Sequence, residues 1–119
     1  MLTFIEVAAK NVVGINIRGK ISDPEFDAVV ALLEKKMQNH AQVRMYVEME
    51  SFKGFEPKTF FKDLKFAISN WDRFDKEAIV TEKKWLQKLT DLGSKMFSDI
   101  EVKAFSFREK EQAQKWIQE

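Results

Sequence analysis

Side chains suited to chemistry are few in this 119-residue chain. His40 is the single histidine, cysteine is absent, and no motif pairs a nucleophile with a base. His40 follows a stretch with helical periodicity, where the negative end of a helix favours an imidazolium. With no partner serine or cysteine it reads as a helix-end residue. Glu48 and Glu50 are two apart, which puts both carboxylates on one face of a strand, an arrangement that suits a divalent cation only with further ligands. No histidine or aspartate-rich loop accompanies them, so surface glutamates, or partners for Arg44, are the expectation. Gly14, Gly19, Gly54 and Gly93 are too scattered to cradle a phosphate. No catalytic residue, metal site or cofactor is expected.

The stronger signal is apolar. Ser51 to Phe74 reads SFKGFEPKTFFKDLKFAISNWDRF and holds six of the eleven phenylalanines, one of the three tryptophans and five basic residues. On a helix from Pro57 to Asn70, Phe60, Leu64, Ala67, Ile68 and Trp71 share one arc, with Phe61 at its edge. Phe66 falls about 200° from Leu64, on the side of Lys62, Ser69 and Arg73, where a regular helix would hold it in water. Phe52 and Phe55 precede the helix on a loop. Two readings stand close together. In one, Phe52 and Phe55 cover the end of a sheet and Phe66 is a lone exposed ring. In the other, Phe52, Phe55, Phe61 and Phe66, rimmed by Lys53, Lys58, Lys62 and Lys65, form an apolar surface or pocket mouth for an amphiphile, a membrane interface or a partner protein.

The elements that position this segment follow from patterning. Leu2–Val7 and Val12–Ile17 read as a hairpin about Ala9-Lys10-Asn11. Ser22-Asp23-Pro24-Glu25 is a capping box, opening a helix with Phe26, Val30, Leu33 and Met37 on one stripe and Val29 beside it. Val43, Met45, Val47 and Met49 alternate with Arg44, Tyr46, Glu48 and Glu50, as in a strand whose faces see different surroundings. Glu77–Thr81 predicts a short strand, and Lys83–Phe97 a helix with Trp85, Leu89, Leu92 and Met96 inward. Glu101–Phe105 closes the strands. Ser106-Phe107-Arg108-Glu109 caps a terminal helix with Ala113, Trp116 and Ile117 inward. The order ββαβαβαβα implies one α/β domain over residues 1–119, with a mixed, mostly parallel sheet and helices packed on it.

Composition sets bounds on partners and place. Hydrophobic residues make up 45% of the chain, enough for a core, and a net charge of +1 gives no global attraction to nucleic acid. The absence of cysteine suits a reducing compartment, and neither a secretory leader nor an apolar run long enough to span a bilayer is visible. A cytoplasmic protein, with peripheral membrane contact as an option, is expected.

Three pieces, VRMYVEMESFKGFEP, KEAIVTEKKWLQKL and VKAFSFREKEQAQKWI, together resemble the SpoIIAA-like family, a branch of the STAS-like fold of sulfate transporters and anti-sigma-factor antagonists. The resemblance covers nearly the whole chain. It implies a four- or five-stranded mixed sheet covered by helices, in a fold group that extends to lipid-binding CRAL-TRIO domains, with no assigned reaction. The antagonists carry a phosphorylatable serine in an aspartate-serine-serine-glycine motif after the central strand. Phe55-Glu56-Pro57-Lys58-Thr59 stands there instead, and Thr59 and Ser51 are the local hydroxyls. The resulting expectation is a non-enzymatic binding module for an apolar or amphiphilic small molecule or a membrane surface, with residues 52–74 as a movable cover. The alternative is a regulatory domain that binds a protein partner without a phosphoserine switch. A homodimer is compatible with either.

Overall fold

The computed structural model of the chain describes residues 1–51, 54–55, 66, 69–82, 84 and 100–119. Its centre is a five-stranded sheet in the order β1-β2-β4-β6-β7. β1 (Leu2–Ile5) and β2 (Val12–Ile17) form the expected antiparallel hairpin. β4 (Val43–Met49), β6 (Phe74–Thr81) and β7 (Glu101–Phe105) then add in parallel. β3 (Lys20–Ile21) and β5 (Gly54–Phe55) make a separate two-residue parallel bridge, reached through Gly19 at φ 71°. The Gly19 N–H donates to the Ser51 carbonyl at 3.1 Å and to Ser51 Oγ at 3.0 Å, tying the ends of β2 and β4 together. A left-handed φ of this kind favours glycine.

Helix α1 (Asp23–Met37) starts at Ser22, as its capping box predicts: the Ser22 N–H donates to Glu25 Oε1 at 3.1 Å and the Glu25 N–H donates to Ser22 Oγ at 3.4 Å. Its buried stripe of Phe26, Val29 and Leu33 packs on Val13, Ile15, Ile17, Val43 and Val47, one face of β2 and β4. Helix α2 (Lys110–Gln118) covers the opposite face, where Ala113 and Ile117 meet Val12, Tyr46, Ala78, Val80 and Phe105. Before it, the Ser106 N–H donates to the Glu109 carboxylate at 3.0 Å. The period-two pattern of β4 thus separates two cores.

β6 begins three residues earlier than its apolar run. A bulge between Val43 and Arg44 sets Phe74 opposite Val43 and Lys76 opposite Arg44, leaving Asp75 as the extra residue. Arg44 uses it: Nε donates to both Asp75 oxygens at 3.2 Å, and Nη1 donates to the Ile117 carbonyl at 2.9 Å, fastening the end of α2. Most of the expected helix Pro57–Asn70 and of Lys83–Phe97, Trp85 included, lies outside the described residues.

Candidate functional site

The α1 side of the sheet is incompletely filled. A cavity of about 280 Å³ lies there, partly open, between α1, β2, β4 and β6. Alternation sends Ile15, Ile17, Met45, Val47, Met49 and Ile79 toward it, α1 supplies Phe26, Val29, Val30 and Leu33, and Leu2, Ile21, Phe74 and Ile100 add to the wall. Among the described lining residues Glu77 is the one charged group, half-buried on β6. At about 24 cal/mol per Å³, an empty apolar void of 280 Å³ would cost about 7 kcal/mol relative to a filled one, an upper bound for a site open on one side. The space is nearly twice that of an engineered cavity of ~150 Å³ that accepts benzene, so it suits a chain of roughly ten to twelve heavy atoms.

Phe66 belongs to this wall. Its ring is half-buried and meets Phe74 edge to face, centroids 6.4 Å apart at 78°. The expectation that this ring stands in water is therefore corrected: Phe66 and Ser69 are helical, but Phe66 lies against the sheet. The Asn70 N–H and Nδ2 both donate to the Phe66 carbonyl, at 3.1 and 3.0 Å, which closes the helical turn just before β6 begins at Phe74. The backbone of Phe55 pairs with Ile21. Phe52, Phe61, Lys62 and Lys65, with Lys53 and Lys58 of the rim, lie outside the described residues.

The α2 side carries a polar network. Tyr46 is fully buried and its hydroxyl donates to Glu48 Oε2 at 2.7 Å while accepting from Gln114 Nε2 at 3.3 Å. Asn16 Nδ2 donates to Glu48 Oε1 at 3.2 Å, and Lys110 Nζ stands 3.6 Å from Glu48 Oε2. Glu48 is only 5% exposed, which corrects its reading as a surface glutamate, and Arg44 pairs with Asp75 rather than with Glu48 or Glu50. Burial pushes the Tyr46 phenol well above its ordinary range, reinforced by the Glu48 carboxylate beside it. The hydroxyl's bond from Gln114 ties α2 to β4. Glu50 is exposed and pairs with Arg18, whose guanidinium holds its carboxyl below the usual range. Among the described residues no buried side-chain polar atom lacks a hydrogen-bond partner.

His40 is half-exposed beyond α1 and takes no part in either face. No helix among the described residues is long and apolar enough to cross a membrane.

Comparison with known proteins agrees with this architecture. The crystal structure of an uncharacterized protein of the DUF3478 family with a SpoIIAA-like fold, from Shewanella loihica PV-4, superposes with a TM-score of 0.71 at 14% identity, over 98% of this chain and 92% of that one. At that identity the likeness establishes the fold alone. No curated protein sequence matches the chain. The SpoIIAA-like family model matches residues 12–118, from β2 to the last residue of α2, and the chain belongs to the SpoIIAA-like family.

Proposed function

We propose that this protein is a non-enzymatic binding module whose cavity beneath α1 takes an apolar or amphiphilic small molecule, with residues 52–74 as the cover. The observation that carries the reading is the cavity itself: about 280 Å³ walled by aliphatic and aromatic side chains, with Phe66 of the aromatic segment in its wall. Burying apolar ligand surface there contributes roughly 25 cal/mol per Å², so a ten-carbon chain gains several kcal/mol before the cost of its immobilisation, which gives micromolar rather than nanomolar binding. Membership of the SpoIIAA-like family fits a binding role.

Native mass spectrometry of the purified protein, followed by titration of the delipidated protein with decanol and decanoate, tests the proposal. A retained small-molecule mass, or saturable binding of either probe that weakens when Ile79 is enlarged, is the expected result. Decanol against decanoate separates the influence of Glu77 in the wall from that of the segment's lysines. A clean apo mass, no probe binding and a co-purifying protein would replace this reading with a protein-interaction role.

A further inference from the structure

A second concave site lies on the outer flank of α1, apart from the apolar cavity and independent of its proposed role. It is a groove of about 450 Å³ between the last turns of α1 and the β1–β2 turn, lined by Lys10, Leu32, Lys35, Lys36, Asn39 and His40. Leu32 is half-buried at its base, and Lys36 Nζ donates to the Lys10 carbonyl at 2.8 Å, drawing the turn against the helix.

Three observations separate this groove from an ordinary solvated helix end. Its described lining contains no carboxylate, and no ion pair with a described acid engages Lys10, Lys35, Lys36 or His40. Lysines near a helix C-terminus usually serve the free carbonyls there, but here Arg73 from outside the helix does so. Its Nη2 donates to the carbonyls of Met37 and His40 at 2.7 and 3.1 Å, and its Nε donates to that of Ala41 at 2.8 Å. With respect to the described residues, the ammonium groups of Lys10 and Lys35 therefore keep all three donors each, and that of Lys36 keeps two. Finally, this positive charge is concentrated in one concavity on a chain whose net charge is only +1.

We infer that the groove binds a phosphate-class anion, a phosphate monoester or pyrophosphate, with the ammonium groups of Lys10, Lys35 and Lys36 on its oxygens and the Asn39 amide as a neutral donor. Lysine recognises phosphate as a point charge, which tolerates this flexible geometry. The same chemistry is offered by a free anion and by a lipid head group with a terminal phosphate.

The test is an amide NMR titration of the intact ¹⁵N-labelled chain with sodium pyrophosphate at constant ionic strength, with chloride as control. Saturable shifts confined to the groove, at Lys10, Lys35, Lys36, Asn39 and His40, are expected, along with a loss of roughly ten- to thirtyfold in affinity for the K35Q/K36Q double variant. Lys10→Gln, on the other wall, should also weaken binding and serves if the double variant does not fold. Co-sedimentation with phosphatidic acid vesicles, against phosphatidylcholine alone, identifies the source. Lysine-dependent vesicle binding assigns a lipid head group, and pyrophosphate binding without vesicle binding assigns a free anion. The inference is overturned if neither probe binds saturably, or if folded K35Q/K36Q and Lys10→Gln proteins bind as the wild type does.

Discussion

Ile79→Phe distinguishes a real void from a packed core by the sign of its effect. Ile79 stands on β6 with its side chain in the cavity wall, half-buried, between Val47 of β4 and Ala104 of β7 in register. Phenylalanine carries three more side-chain carbons than isoleucine, and each carbon moved from water into apolar surroundings contributes about 0.8 kcal/mol, an upper limit near 2.4 kcal/mol. After the loss of rotamer freedom and imperfect fit, a net stabilisation of about 1–2 kcal/mol remains. For a domain of this size that raises the thermal midpoint by roughly 3–8 °C. In a core already at full density the same change overpacks and costs about 1–3 kcal/mol. Urea unfolding and calorimetry of the ligand-free protein measure the difference. Destabilisation by more than about 1 kcal/mol with the fold retained would show that the space is already filled and holds no room for a ligand.

Other substitutions probe the neighbouring elements. Phe66→Ser should destabilise by about 1.5–3 kcal/mol in chemical denaturation, since a half-buried ring and its edge-on contact with Phe74 are both lost; a change below about 0.5 kcal/mol would return Phe66 to the surface. Gly14→Ala places a Cβ 2.7 Å from the Ile5 carbonyl oxygen and 2.9 Å from Val7 Cγ2, and because the first is backbone the hairpin must shift, at a cost of about 2–3 kcal/mol in urea. Glu48→Ala should cost about 2–3 kcal/mol by stripping the Tyr46 hydroxyl of its acceptor, whereas Glu50→Ala should leave the unfolding midpoint unchanged; equal effects would deny that Glu48 is buried. Glu25 has its carboxyl held below its ordinary value of 4.5, chiefly by the Ser22 backbone N–H, so it favours folding above that pH and loses the contribution as pH falls through the lowered value. Ser22→Ala should remove about 1 kcal/mol at neutral pH yet keeps the backbone N–H, so thermal melts between neutral and acid pH should retain most of the acid-side slope, which Glu25→Gln should flatten.

The fold is legible where local chemistry and tertiary packing agree. Ser22 with Glu25 and Ser106 with Glu109 announce helix starts because a cap is a contact between near neighbours. The alternation in β4 separates its two faces because strand geometry alone dictates it. Pattern reading fails where a distant partner decides. The charged start of β6 carries no strand signal, yet Arg44 and the carbonyl of Trp116 fix Asp75 and Lys76 there. The β3–β5 bridge has too few residues for any period to show. Residue type alone places Glu48 in water, but Glu48 shares a face with Tyr46 two residues away, and the apolar pair Ala113 and Ile117 needs that face to cover. For Phe66 the helical phase alone suggested solvent, because the position of Phe74 at the start of β6 could not be read from that phase. Of the aromatic residues in 51–74, Phe66 and Phe74 are the described ones whose rings line the cavity.

The central claim is that the cavity beneath α1 holds an apolar ligand, and methyl NMR of the delipidated chain titrated with decanol tests it most directly. The methyl groups of Ile15, Ile17, Val47 and Ile79 should shift together and saturate, while those of Val80 and Ile117 on the α2 face stay in place. Shifts spread equally over both faces, or none at the solubility limit of decanol, would contradict it.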